Sequence, residues 1–178
     1  MERPLNQPAV NEPFCSIGGG CGCGPDEAEA PLDPLDWIAG LQDEDTRELE
    51  HSWFSRLSEA QFRVLRMKGT EEIHTGELEN HFAKSGTYVC AACETPLYDA
   101  QHKFKSGHGW PAFSDNLPDA LVRTEIGRNK KIEITCSGCG GHVGHVFKSK
   151  RYPAPTHERH CSNSISLKYV PPATVESA

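Results

Sequence analysis

The hexapeptide Arg159-His160-Cys161-Ser162-Asn163-Ser164 sets one cysteine two residues after a guanidinium and two residues before an amide. On an extended strand, residues two apart share a face, so Arg159, Cys161 and Asn163 would line up on one side. A thiolate is the reactive form of cysteine, and a neighbouring cation favours it, which makes Cys161 a candidate nucleophile. The other fate of such a residue is that of a small buried hydrophobe. Upstream, His142-Val143-Gly144-His145-Val146-Phe147 carries two histidines, the side chains best suited to moving a proton near neutral pH. In a regular strand His142 and His145 would face opposite sides, but Gly144 permits a bulge that turns both toward one cleft. Metal ligation or a hydrogen-bonded place in the core are the alternatives for these rings. In Gly107-His108-Gly109-Trp110-Pro111-Ala112-Phe113, a constrained loop presents Trp110 either as a wall of a pocket or as a cap on the core.

Four further thiols come in two tight pairs, Cys90-Ala91-Ala92-Cys93 and Cys136-Ser137-Gly138-Cys139-Gly140. Each pair can aim two sulfurs at one centre, and together they describe a tetrahedral four-cysteine zinc site with no coordination position left for a substrate. The expected metal is therefore one structural Zn2+ per chain, clipping two distant segments. Thioredoxin-like redox motifs would need a helix start in a βαβ unit, which neither flank provides. Structural disulfides fit poorly with a chain whose first residues lack the apolar stretch of a secretory signal.

The elements that must position these groups change character along the chain. Residues 1–40 are rich in Gly, Pro and acids and hold Cys15, Cys21 and Cys23; their composition predicts a flexible leader. Leu49, Trp53 and Leu57 recur at four-residue intervals after Asp43-Glu44-Asp45, the pattern of a helix with acids at its favourable end. Ser58-Glu59-Ala60-Gln61 reads as a capping box opening a second short helix that ends by Gly69. From Thr87 onward short β-runs alternate with turns. Leu121–Ile126 and the run containing Ile132 and Ile134 form a hairpin, with Lys131, Glu133 and Thr135 on its polar side. Ile165, Leu167 and Tyr169 alternate with Ser164, Ser166 and Lys168 in a last strand. The expectation is a mainly β domain over 41–172, with short N-terminal helices and a tail at 173–178.

The chain has 178 residues, 8 of them Cys, and a formal net charge of −7. That length suffices for one domain with an appendage and a real core. The acidic balance argues against nucleic acid, the usual partner of a four-cysteine zinc ribbon, and no apolar run approaches a membrane span. Unsealed thiols and the lack of a targeting pattern point to a reducing compartment, with the cytoplasm as the expected location.

Several motifs in order resemble one family, the B-type methionine-R-sulfoxide reductases. They are Arg63-Val64-Leu65-Arg66 with Lys68-Gly69-Thr70, both Cys-x-x-Cys turns, Gly109-Trp110-Pro111, Gly141-His142-Val143-Gly144-His145-Val146-Phe147, and Glu158-Arg159-His160-Cys161-Ser162-Asn163-Ser164, within about 53–170. The resemblance implies two small antiparallel sheets pinned by a structural zinc on four cysteines, and thiol-dependent reduction of methionine-R-sulfoxide in proteins or peptides through a Cys161 sulfenic acid. It makes Cys161 the catalytic cysteine, His142, His145 and Asn163 the polar groups around it, and Arg159 the supporting cation. Trp110 and Phe147 become the wall that receives the sulfoxide methyl. Regeneration by a thioredoxin- or glutaredoxin-type thiol and a monomeric state are further expectations. Many members carry a resolving cysteine where this chain has His108, so Cys15, Cys21 and Cys23 are the internal candidates for resolution, against direct reduction by an outside thiol. A zinc-pinned β-fold that only binds is the competing class, and it gives no reason to keep Cys161, Asn163, His142 and His145 together.

Overall fold

A computed structural model describes residues 32–127, 131–153 and 155–173. Three short helices come first: α1 (Pro34–Ala39), α2 (Glu44–Phe54) and α3 (Glu59–Leu65). Local chemistry starts each one. Asp43 caps α2 by accepting from the Thr46 N–H, with Glu44 and Asp45 in the first turn, where the helix dipole favours negative charge. Ser58 and Gln61 form the reciprocal capping box expected for α3. Helix α1 lies in the stretch that composition assigned to the flexible leader. Asp33 caps it, Pro34 opens it and is buried, Ile38 is fully buried beside Trp53 and Phe62, and Trp37 meets Phe62 edge-on, so apolar contacts order this segment.

Helix α2 corrects the simple apolar reading of its sequence. Leu49 is exposed, whereas Glu50 is buried. The Glu50 carboxylate accepts two hydrogen bonds from Arg66, at 2.9 and 2.6 Å, and the same guanidinium donates to the Cys139 carbonyl at 2.9 Å. The helical layer is thereby tied to the second cysteine turn by a charge-assisted fork.

The remainder is two antiparallel sheets. Strands β1 (Thr87–Cys90), β2 (Pro96–Asp99) and β8 (Leu167–Val170) give a three-stranded sheet in the order β2-β1-β8. Strands β3 (Ala112–Phe113), β4 (Leu121–Ile126), β5 (Lys131–Cys136), β6 (His142–Lys148) and β7 (Glu158–Ser162) give the order β3-β7-β6-β5-β4. The fold is the mainly β, two-sheet arrangement that the sequence predicts, including the β4–β5 hairpin. The last strand begins only at Leu167, because Ser164–Ser166 wind into a 3-10 turn. Tyr88, Leu97, Tyr98, Phe113, Ile134 and Val143 are fully buried at the centre of the main core, with Tyr98 and Phe113 stacked 4.0 Å apart. Among the described residues, no helix is long and apolar enough to cross a membrane.

Strand β5 departs from its alternation. Ile134 is fully buried as expected, but Glu133 and Thr135 on the supposed polar side are also buried. Both faces of this central strand are covered, and the covering on the Glu133 side is the candidate site.

Candidate active site and metal centre

Strand β7 is the axis of the site. Cys161 lies between Ala112 of β3 and His145 of β6, and two pairs further along Arg159 lies opposite Phe147. The two-residue period puts Cys161 and Arg159 on one face, with His145 and Phe147 facing them from β6. The backbones approach closely here: a Cβ on Gly144 would lie 2.0 Å from the Cys161 carbonyl oxygen, so only glycine fits. The β5–β6 register jumps from Ile134↔Gly144 to Thr135↔His142, leaving Val143 as an extra residue. This bulge brings the His142 and His145 rings to 5.2 Å centroid separation.

Glu133 anchors the histidine pair. Its carboxylate lies 2.8 Å from His142 Nδ1 and accepts from Lys68 Nζ at 2.9 Å. Burial alone would raise this carboxyl, but the hydrogen bonds from His142 and Lys68 outweigh it and hold the group at about 2. A carboxylate at Nδ1 fixes the ring and leaves His142 Nε2, which is buried and has no hydrogen-bond partner, for another molecule. His145 has no such anchor. Burial, aided by the charge of Lys131, pulls it down to about 4, so it is neutral near pH 7. Cys161 is pushed above the ordinary thiol range, because burial outweighs the opposing charge of Arg159. Both members of the Cys161–His145 pair are thus uncharged at rest.

Arg159 is 5% exposed, and its guanidinium sits 4.6 Å from the Phe147 ring centroid and 5.4 Å from that of Tyr152. It offers positive charge beside Cys161 through cation–π packing. Asn163 is buried, with Oδ1 accepting from the Glu71 N–H at 3.0 Å and Nδ2 donating to the Val143 carbonyl at 3.2 Å. It therefore ties the 69–76 segment to β6 beside the cysteine. Trp110 donates its indole N–H to the Glu71 carbonyl at 3.1 Å, and Phe147 remains partly open at the strand end. Cys15, Cys21 and Cys23 lie outside the described residues.

Two residues of the site were not singled out from sequence. Glu71 joins Trp110 and Asn163 through its own backbone, while its carboxylate accepts from the Ser164 and Ile165 N–H groups at 2.6 and 2.9 Å. That clasp forms the 3-10 turn at the start of the last strand region. A Cβ on Gly109 would meet Ile73 at 2.2 Å, and its φ is +82°, so the Trp110 loop also needs glycine to pack on this segment. Glu133 is the other omission. Its position on the strand preceding the His142/His145 motif, in an antiparallel hairpin, was the available signal.

The second cluster is the two cysteine turns. Cys90 and Cys93 end β1 and enter β2, while Cys136 and Cys139 link β5 to β6, so the cluster joins the two sheets. The four sulfurs lie within 4.8 Å of one another, with Cys90–Cys139 at 3.7 Å and Cys93–Cys136 at 3.5 Å. Tetrahedral Zn–S bonds of about 2.3 Å would set the sulfurs about 3.8 Å apart, so the observed spacing suits such an ion. Hydrogen bonds from Cys139 and Cys90 hold the Cys136 thiol far below its usual range, and Cys90 is pushed up to about 12 beside it. Such crowded thiols are a donor set that a cation completes.

A SelR domain model matches residues 57–171. The chain is 57% identical over 122 residues to peptide methionine sulfoxide reductase B2, chloroplastic, of Arabidopsis thaliana, covering 68% of this chain and 60% of that one. It is 55% identical to reductase B3, chloroplastic, of Oryza sativa subsp. japonica, across 68% of this chain and 53% of the relative. Against reductase B5 of the same rice, identity is 52%, with 68% of this chain and 89% of the relative covered. The chain thus spans little more than half the length of the two chloroplastic relatives.

Proposed function

Because this chain belongs to the SelR-domain family of peptide methionine sulfoxide reductases B, we propose that it reduces methionine-R-sulfoxide in proteins or peptides to methionine, with Cys161 as nucleophile. The observation that carries this reading is the shared face of Cys161 and His145, backed by the Glu133–His142 pair.

At rest Cys161 keeps its proton and His145 is neutral. As Cys161 sulfur attacks the sulfoxide sulfur, negative charge builds on the sulfoxide oxygen. His145 takes the thiol proton and delivers it there, the role of a general base that becomes a general acid. The S–O bond to the substrate breaks and one to Cys161 forms. The products are methionine and Cys161 sulfenic acid, with two electrons moved from the cysteine sulfur to the substrate sulfur and the thiol proton on the new hydroxyl. Arg159 stabilises the transient thiolate, and His142 Nε2, oriented by Glu133, offers a second polar contact to the oxygen. Trp110 and Phe147 receive the methyl group. A pocket that seats methyl on one side and oxygen on the other accepts one epimer.

Cys90, Cys93, Cys136 and Cys139 hold a structural Zn2+ in this reading, which supplies folding free energy and takes no part in the chemistry. The sulfenic acid is returned to thiol by an outside thiol of the thioredoxin or glutaredoxin type, since His108 stands where many family members carry a resolving cysteine and cannot form a disulfide. We assign the chain to the cytoplasm, because this chemistry needs its thiols kept reduced.

The test is turnover with a small dithiol and a peptide carrying either sulfoxide epimer. Methionine should appear from the R epimer alone and not with Cys161→Ser. Equal consumption of both epimers, or none, overturns the reading.

A further inference from the structure

Beside the Cys161 face lies a cavity of about 600 Å³ whose lining includes Phe104, Lys105, His108, Arg151, Tyr152 and Pro153, and no carboxylate. Phe104 and Tyr152 pack together in its wall, with ring centroids 6.5 Å apart and planes tilted by 47°. A smaller cavity shares Phe104, Lys105 and Ser106 with it and reaches Trp110, so the lining runs on from the basic groove to the proposed methyl wall, and the one carboxylate in this connecting stretch, Glu79, lies outside the larger cavity. Tyr152 also packs on the buried Arg159, whose Nε and Nη1 have no hydrogen-bond partner.

Several cations of this chain are held in ion pairs. Lys68, Arg66, Arg123, Lys148 and Lys168 are each matched to a glutamate. Lys105 and Arg151 are exposed and belong to no ion pair among the described residues. On a chain of net charge −7 this is a local reversal of sign, and a concave wall of one sign focuses its field on whatever enters.

We propose that this groove binds acidic side chains of the substrate peptide flanking the methionine sulfoxide, with Lys105 and Arg151 meeting the carboxylates and the Phe104–Tyr152 pair offering an apolar wall to the chain. A cavity of this volume is roughly 8 Å across, the reach of two to three extended residues. Aspartate or glutamate at such a distance from the sulfoxide is the feature recognised. This proposal rests on the reductase reading above and adds to it a preference among peptides.

The experiment compares R-sulfoxide peptides with acidic, alanine or lysine flanks, using wild type and the Lys105→Glu/Arg151→Glu double variant. Partly exposed charge pairs of this kind lead to an expected three- to tenfold advantage in kcat/KM for the acidic over the lysine peptide, carried by KM and shrinking at about 0.5 M salt. The double variant should reverse the order while leaving alanine-flanked turnover unchanged, which also shows that it is folded. A parallel arm measures anisotropy of fluorescein-labelled peptides in which norleucine replaces the sulfoxide. Tighter binding of the acidic probe, lost in the double variant, supports the groove even if neither peptide were turned over, in which case the reductase reading alone fails. Equal values for all flanks, or a preference that survives in the double variant, overturns the proposal. So does a double variant that slows only re-reduction by glutathione, since the groove would then serve the reductant.

Discussion

The two faces of β7 do different work with adjacent residues. On one side Arg159 and Cys161 look across to Phe147 and His145. On the other, Glu158, His160 and Ser162 are buried in a polar network. His160 Nε2 lies 3.1 Å from Glu158, Arg123 donates to Glu158 at 3.0 Å, and Ser162 shares a hydrogen bond with Tyr98 at 3.0 Å. Burial would raise Glu158, yet hydrogen bonds from Arg123, Lys148 and His160 bring it down to about 2, so this side is built on a buried ionic cluster, with His160 Nδ1 alone left without a partner among the described residues. The Cys161 side holds no such ion cluster between its facing residues: a protonated thiol looks across at a neutral imidazole. The histidine next to Cys161 in sequence therefore packs on the opposite side, while the histidine that faces Cys161 is sixteen residues away. Strand period decides this, and proximity in sequence does not.

The sharpest way to break this comparison is to cut each face once. Cys161→Ser should abolish sulfoxide reduction and leave the thermal midpoint unchanged. His160→Ala should destabilise by about 2–4 kcal/mol, from a lost buried ring and its hydrogen bond, while folded protein keeps turning over. Thermal melts and single-turnover rates on the same samples check both. An unfolded Cys161→Ser would show that the faces are not separable.

Cys139→Ser tests the other cysteine cluster. Its expected outcome is loss of bound zinc and of several kcal/mol of stability, because metal binding there is folding free energy. Metal analysis with a denaturant melt reads it; a zinc-free, active, equally stable variant would contradict the structural role.

Within the chemical face, His145→Ala should slow single turnover by about 10²–10⁴, the range for a lost proton carrier. Glu133→Gln reaches the chemistry through His142 while also losing the Lys68 ion pair, and loss of a charged hydrogen bond of about 1.5–3 kcal/mol predicts a ten- to hundredfold effect. The pH profile sharpens the point. Burial holds His145 at about 4, so its basic form persists well below neutrality. The wild-type rate should then hold between about pH 7 and pH 5, where a histidine with an ordinary pKa of about 6.5 would lose most of its base form.

The Cys-x-x-Cys turns, the capping box of α3, the β4–β5 hairpin and the strand carrying Cys161 were legible because each is fixed by local rules of spacing and turn chemistry. Glu133 was not. Alternation places it on the polar side of β5, and only the bulged β6 and Lys68, 65 residues earlier, make that side an interior. Glu71 was hidden for the same reason, since its partners Asn163, Ser164 and Ile165 are more than ninety residues away. Helix α1 was lost in the composition of its neighbours, although Pro34 and Ile38 anchor it in the core.

The central claim is that Cys161 alone receives the oxygen. Reduced protein mixed with one equivalent of an R-sulfoxide peptide, without added thiol, and then treated with dimedone should yield one methionine per chain and a single adduct at Cys161 by peptide mass mapping. Methionine formed with the adduct elsewhere, or a Cys161 that stays a thiol while the substrate is reduced, would contradict the account.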